Sequence, residues 1–354
     1  MDINVLPINE TKQPVKDESK LVFGKEFTNR MFVMEYDKGQ GWHSPRIEAY
    51  GPLSLDPAAL VLHYAQEIFE GLKAFRRPDG TIALFRPRDN FERFNRSAER
   101  MCMPQLDVDF CMEALTKLLK LEQEWVPHIA GTSLYIRPTM IATEAVLGVK
   151  PADKYLFYII LSPVAAYYKG GLNPVKIWVS DEFARVPAGG TGEAKTGGNY
   201  ASSLYASTLA AAKGYDQVLW LDSIERKYVE EVGSMNICFL YDGKVVTSPL
   251  KGSILNGITR RSILQLVKDF GYEVEERALS IDEIMEGAKN GRLTEAFGTG
   301  TAAVVSPVGQ ITYKDRDAYL GNGKTGELTM KLYNTLTGIQ YGQLEDKYNW
   351  VELL

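Results

Sequence analysis

A lysine set among glycines is the first place to look for chemistry in this chain. Gly189, Gly190 and Gly192 precede Lys195, and Gly197, Gly198, Asn199 and Tyr200 follow it. Glycines let a backbone bend tightly and approach a ligand closely. A lysine so placed suits a phosphate loop, a Schiff base with a carbonyl, or an ordinary solvated loop. The phosphate-loop pattern G-x-x-x-x-G-K-[ST] nearly fits from Gly189 to Thr196, but Ala194 stands where the last glycine belongs. The preceding strand is also expected to end near Ser180, too far upstream to feed such a loop. Leu219-Trp220-Leu221-Asp222 mimics the acidic strand end of a nucleoside-triphosphate hydrolase, as any apolar strand meeting a turn aspartate does.

The Schiff-base reading makes further demands. Pyridoxal phosphate needs an amine, an acid beside its pyridine nitrogen, a donor near its phenolate oxygen and a cradle for its phosphate. Glu231, within Glu230-Glu231-Val232-Gly233-Ser234-Met235-Asn236, can supply the acid. Gly257-Ile258-Thr259 opens a helix, whose free N–H groups and dipole bind anions. Gly298-Thr299-Gly300-Thr301-Ala302-Ala303 is a second turn of small residues. Taken singly, these are equally a solvated acid, an N-cap and a loop.

The segments LHYAQEIFEGLKAFR, SLYIRPT, KTGGNYASSL, QVLWL, EVGSMN, NGITRRSIL, FGTGTAAVVSPV and IQYG, in this order, closely resemble branched-chain amino acid aminotransferases of the fold-type-IV class. The resemblance runs from about Leu21 to Gly342. It implies a two-domain α+β fold like that of D-amino acid aminotransferase, with a small N-terminal α/β domain and a larger domain built on a pseudo-barrel sheet. It implies pyridoxal 5'-phosphate bound to Lys195, with Glu231 on the pyridine nitrogen and Tyr200 on the phenolate oxygen. Arg93, the Thr301 side chain and the N–H groups of Ile258 and Thr259 would hold the phosphate. Tyr64 and the Thr301-Ala302 amides match the substrate α-carboxylate site, and Arg137 the partner of glutamate's distal carboxylate. Phe23, Phe69, Tyr135 and Tyr167 match pocket walls. Leu147 and Val149 match a loop that reaches a partner subunit, which implies a homodimer. The implied reaction moves an amino group between leucine, isoleucine or valine and 2-oxoglutarate. Animal members carry C-x-x-C after the Gly-Thr turn; here Ala303 and Ser306 stand there, so that thiol switch is excluded. A D-amino acid aminotransferase, an aminodeoxychorismate lyase, a nucleotide hydrolase and a non-catalytic binding module are the alternatives.

Several elements must position these residues. Asp56-Pro57 is expected to cap a helix through about Phe75, with Leu60, Tyr64 and Ile68 on one stripe. Thr81 to Phe85 reads as a strand, and Asp89 as the cap of a helix with Phe91, Phe94 and Ala98 inward. Another helix is expected from Phe110 to Trp125. Ser133 to Thr139 alternates, placing Tyr135 and Arg137 on one strand face. Tyr155 to Ser162 is an apolar run suited to a buried strand. Val175 to Ser180 and Gln217 to Leu221 read as strands, and Tyr200 to Lys213 as a helix ended by Gly214. Asn236 to Thr247 reads as a hairpin turning at Asp242-Gly243. Thr259 starts a helix that stops before Gly271, Ser280 and Glu283 form a capping box, and a last helix covers Gly326 to Gln340. The expected domains are residues 1–164, with 1–20 as a mobile arm, and 175–354, joined by a linker over 165–174 that two glycines and a proline interrupt.

Composition narrows the classes. The 354 residues suit two domains at roughly 100–200 residues each. A 45% hydrophobic and 24% charged composition is that of a soluble globular protein. A net charge of −5 gives no field for nucleic acid or anionic membrane. Three scattered cysteines make no C-x-x-C pair and suit a reducing compartment, here read as the cytoplasm. His43, His63 and His128 lack metal-ligand spacing, so no metal is expected. The N-terminus has no apolar core of a signal peptide, and no run is long enough to span a bilayer.

Overall fold

The computed structural model describes residues 1–165 and 172–354. The chain forms two units. The first comprises Met1–Tyr167, Ala194–Gly197 and Ile339–Leu354; the second comprises Tyr168–Glu193 and Gly198–Gly338. Most of the expected linker lies outside the described residues.

The first unit is a sheet covered by helices. Its elements are β1 (Asn4–Val5), β2 (Arg30–Asp37), β3 (Gly41–Ala49), α1 (Leu60–Tyr64), β4 (Glu67–Phe69), β5 (Leu72–Arg76), β6 (Ile82–Phe85), α2 (Pro87–Arg100), α3 (Val108–Leu121), β7 (Ser133–Ala142) and β8 (Lys154–Val164). The strand order is β1-β3-β2-β8-β7-β5-β6, with β4 beside β7 and Val351–Leu353 paired outside β6. Phe91 and Phe94 of α2 and Leu115, Leu118 and Leu119 of α3 join Phe32, Phe157 and Ile159 of the strands in one core. The rings of Phe94 and Phe157 meet edge to face at 5.5 Å, the arrangement aromatic quadrupoles favour.

The helix expected from Asp56 to Phe75 is mostly strand. Its periodic part survives as α1, which Ala65 closes with a left-handed φ of 51°. The following residues pair with β7 as β4 and β5, so sheet pairing overrides a short apolar spacing that suits either structure. Arg86, not Asp89, occupies the N-cap of α2, with Pro87 in its first turn. The next helix starts at Val108 under Asp107, whose carboxylate accepts the Phe110 N–H at 3.0 Å. The segment read as a mobile arm is tied to the sheet: β1 pairs with β3, Ile3 is buried, and Lys12 and Asn29 exchange two hydrogen bonds.

The second unit contains β9 (Val175–Ser180), α4 (Gly197–Ala201), α5 (Leu204–Ala212), β10 (Gln217–Leu221), β11 (Val229–Val232), β12 (Met235–Tyr241), β13 (Lys244–Thr247), α6 (Ile258–Asp269), β14 (Val274–Glu276), α7 (Ile281–Asn290), β15 (Leu293–Gly300), β16 (Val304–Tyr313), β17 (Arg316–Tyr319) and α8 (Glu327–Gln340). Strands run in the order β11-β10-β9-β16-β15-β12, and β11 pairs again with β12. Six strands therefore close on themselves, which leaves none of them as a bare edge. One apolar cluster draws residues from all six, among them Ile177, Leu219, Val232, Ile237, Ala296 and Ile311. Trp220 and Val218 turn the other way, against Ala206 and Ala210 of α5. The single helix expected from Tyr200 to Lys213 is split between α4 and α5. The β12–β13 hairpin turns at Asp242 and Gly243, both at positive φ, as a two-residue type I′ turn requires.

Ser280 caps α7 as its sequence suggests, its hydroxyl accepting the Glu283 N–H at 3.1 Å. Ser280→Ala is expected to cost about 1 kcal/mol, read as a lower midpoint of thermal or urea unfolding. Ser280→Asp should lose far less.

Candidate active site

In the first unit, the backbone of Lys195 is held on both sides. Its N–H donates to the Ser97 hydroxyl at 2.9 Å, and its carbonyl accepts the Phe69 N–H at 3.0 Å. The next residue, Thr196, donates its hydroxyl to the Glu67 carbonyl at 2.7 Å. The Lys195 ammonium stands 4.8 Å from the Phe69 ring centroid.

Ser97 lies on α2 one turn beyond Arg93. Arg93 is buried and grips Glu70 through two nitrogens, Nε at 2.7 Å and Nη2 at 2.8 Å. Glu70 is fully buried and also accepts the Gly71 N–H at 3.1 Å. Sequence reasoning missed Glu70 as a partner. The available signal was an acid inside the mostly apolar run Ile68 to Phe75.

The wall residues on β4, β5 and β7 come together as expected. The Arg137 Nη2 donates to the Tyr135 hydroxyl at 3.0 Å, and its guanidinium lies 4.6 Å from the Phe69 ring centroid. Phe23 meets Tyr135 edge to face at 4.8 Å. A Cβ on Gly71 would come within 2.0 Å of the Tyr135 hydroxyl, so only glycine admits that ring. Tyr64 stands with a different group: its hydroxyl donates to the Leu147 carbonyl at 2.5 Å. Leu147 and Val149 are 62% and 81% exposed, so this cluster faces outward. Tyr167 lies outside the described residues.

In the second unit a β-bulge aims the acid. Leu219 and Leu221 of β10 oppose Val232 and Val229 of β11, which leaves one extra residue on β11. Strict alternation would turn Glu231 toward the apolar cluster. The bulge instead lets Val229 and Val232 both enter it and turns Glu230 and Glu231 away. Glu231 is 3% exposed. It accepts the Asn236 Nδ2 at 3.0 Å and the Leu255 N–H at 3.2 Å, and Arg185 Nε lies 2.8 Å away. Arg185 is itself buried and donates to the Ser253 carbonyl at 2.6 Å. Nothing in the sequence marks Arg185 as this partner, since the pair is far apart in the chain.

Asn236 of β12 pairs in register with Glu231 on one side and Thr299 of β15 on the other. A Cβ on Gly257 would come within 2.0 Å of the Asn236 carbonyl oxygen, which places the start of α6 over this row. Gly257 offers α6 no side-chain cap, so the N–H groups of Ile258 and Thr259 remain suited to an anion. Thr301 and Ala302 form the turn between β15 and β16. Tyr200 sits on α4.

These groups suit pyridoxal phosphate. A buried carboxylate held by an arginine is what a protonated ring nitrogen needs, and an uncapped helix start is what a phosphate needs. The Thr299 hydroxyl in the same row is buried with no hydrogen-bond partner among the described residues. Among those residues no group of three or more His, Cys, Asp or Glu side chains could hold a metal ion. No helix among them is long and apolar enough to cross a membrane.

Comparison with known proteins agrees. The amino-transferase class IV family matches residues 67–311, more than half of the chain. The chain is 54% identical to branched-chain-amino-acid aminotransferase 2 of Bacillus subtilis, over 97% of this chain and 94% of that one. Among solved structures, the branched-chain amino acid aminotransferase of Escherichia coli is 26% identical, covering 91% of this chain and 98% of its own, with a TM-score of 0.75. A thermophile's branched-chain amino acid aminotransferase with pyridoxamine 5'-phosphate is 27% identical, covering 90% and 97%, with a TM-score of 0.74. The chain belongs to the class IV aminotransferases, within them to the branched-chain amino acid aminotransferases of fold-type IV. It is a transaminase dependent on pyridoxal phosphate, and the nucleotide-hydrolase and binding-module readings lapse.

Lys73 offers a test of this wall. It pairs in register with Tyr135, and burial pushes its ammonium down to about 8. An unfolded lysine titrates near about 10.4. Between these values the unfolded chain binds more protons than the folded one, so stability rises with pH from about 8 to about 10.4. Lys73→Met should flatten that slope in denaturation curves taken across this range. An unchanged slope would show that Lys73 is solvated.

Proposed function

We propose that this chain reversibly transfers the amino group of leucine, isoleucine or valine to 2-oxoglutarate, with Lys195 as its catalytic residue. The observation that carries the substrate choice is the wall of Phe23, Phe69 and Tyr135 with the Arg137 guanidinium set into it. An aromatic wall suits a branched aliphatic side chain. Glutamate brings a second carboxylate, which costs several kcal/mol to bury unpaired, and Arg137 can pair with it.

Bound pyridoxal phosphate supplies an electron-withdrawing ring that stabilises negative charge at the substrate α-carbon. Glu231, kept charged by Arg185, Asn236 and the Leu255 N–H, holds a proton at the ring nitrogen. Arg93, Thr301 and the N–H groups of Ile258 and Thr259 bind the phosphate, and Tyr200 donates to the phenolate oxygen. The Thr301-Ala302 amides receive the substrate α-carboxylate. Lys195 Nζ anchors the cofactor, then takes the proton from the substrate α-carbon and returns it in the reverse half-reaction.

The active form in this reading is a homodimer, and the scattered cysteines suit the cytoplasm. The exposed Leu147 and Val149 would enter the partner's pocket. Tyr64, bonded to the Leu147 carbonyl, would travel with that loop and serve the same pocket.

The purified protein should show a visible absorption band that borohydride removes, and should turn over L-leucine in preference to D-amino acids or aminodeoxychorismate. Lys195→Ala should abolish transamination while still binding the cofactor's phosphate. Near-normal turnover in that variant would refute the assignment of Lys195.

Arg137→Met should slow the glutamate and 2-oxoglutarate half-reaction far more than the leucine half-reaction. Single-turnover rates with each substrate measure this. Equal losses would mean that Arg137 does not read the distal carboxylate.

A further inference from the structure

We infer that Ser97 is a positioning residue for Lys195, and that with the Glu67–Phe69 strand it forms a clamp fixing where the lysine amine can reach. The inference rests on Lys195 being the catalytic amine. A lysine side chain carries many rotamers, so the placement of its amine depends first on a rigid backbone.

Three hydrogen bonds provide that rigidity, and they come from two directions. The Ser97 hydroxyl accepts the Lys195 N–H at 2.9 Å from α2. Phe69 on β4 donates its N–H to the Lys195 carbonyl at 3.0 Å. Thr196 returns a bond to the Glu67 carbonyl at 2.7 Å. Ser97 is 0% exposed and Thr196 2% exposed, so water does not compete for these bonds.

The supports are themselves fixed. Ser97 lies one turn beyond Arg93 on a helix packed into the core through Phe91 and Phe94. Arg93 is locked to Glu70, the residue after Phe69. The same helix and strand that clamp Lys195 are thus tied to each other by a buried ion pair. Gly197 completes the fit, because a Cβ there would collide with the Glu67 carboxylate. A displaced α2 would therefore move the lysine along with Arg93.

Ser97→Ala should leave cofactor affinity within about twofold while lowering kcat roughly ten- to hundredfold, the scale on which a misplacement of about 1 Å acts. KM should change little. Two readouts separate positioning from general loosening. With α-deuterated leucine the isotope effect on kcat should rise, because transfer of the α-proton becomes slower than the other steps. The pH titration of the visible band in the resting holoenzyme should also shift. Ser97→Thr retains the hydroxyl and should restore both. Should Ser97→Ala fold poorly, Thr196→Val removes a different arm of the clamp and should give the same pair of changes, with Thr196→Ser as its control. Wild-type isotope effects and titrations in both Ser97→Ala and Thr196→Val would overturn the inference while leaving the proposed function intact. A wild-type protein without a visible band, or a fully active Lys195→Ala variant, would instead overturn the reading on which it rests.

Discussion

A carboxylate taken out of water must be met by a cation and by hydrogen bonds, or it gives up its charge. This protein does so twice. Glu70 meets Arg93 in the first unit, and Glu231 meets Arg185 in the second. Much of the surrounding architecture answers to these two pairs. Helix α2 must start early enough to bring Arg93 over Glu70. Strand β11 must carry an extra residue so that its valines enter the apolar cluster and its glutamates do not. Asn236 must stand in register beside Glu231 to satisfy one of its oxygens. Such pairs contribute little net stability compared with an apolar replacement, but breaking one is costly. Their value here is to hold charge at fixed points.

The substrate wall follows a different logic, that of space. Tyr135 and Arg137 share a strand face because side chains alternate, and the Tyr135 hydroxyl then needs room where β5 passes. Gly71 supplies it by having no side chain. Aromatic surface and a guanidinium are thereby presented together, which lets one wall meet both an aliphatic chain and a carboxylate.

Much of this was legible in the sequence where the signal is local. The Asp242-Gly243 turn, the Ser280 cap, the strands Val175–Ser180 and Gln217–Leu221, and the shared face of Tyr135 and Arg137 all follow from neighbouring residues. The resemblance supplied the closed sheet and the cofactor, which no periodicity shows. What failed was the span after Asp56. Leu60, Tyr64 and Ile68 fit a helical spacing, yet the partner that converts the later residues to strand lies some 70 residues away in β7. Arg185 and Glu70 were missed for a similar reason. Each is an unremarked charge in sequence, and only tertiary packing shows which opposite charge it meets. The bulge in β11 is invisible in the same way, since its cause is the register with β10.

The first sheet takes its last strand from Val351–Leu353, beside β6, and Tyr341 returns to donate to the Thr132 carbonyl at 2.8 Å. The first unit is thus interrupted by nearly the whole of the second. During synthesis the β6 edge stays unpaired until Val351–Leu353 emerges, by which time every residue of the second unit has been made. Contacts of such long sequence separation are slow to form, and an unpaired strand edge invites association with other chains. The order of manufacture therefore leaves one flank of the first sheet open while translation is under way, a period in which a chaperone or an early partner chain would find it.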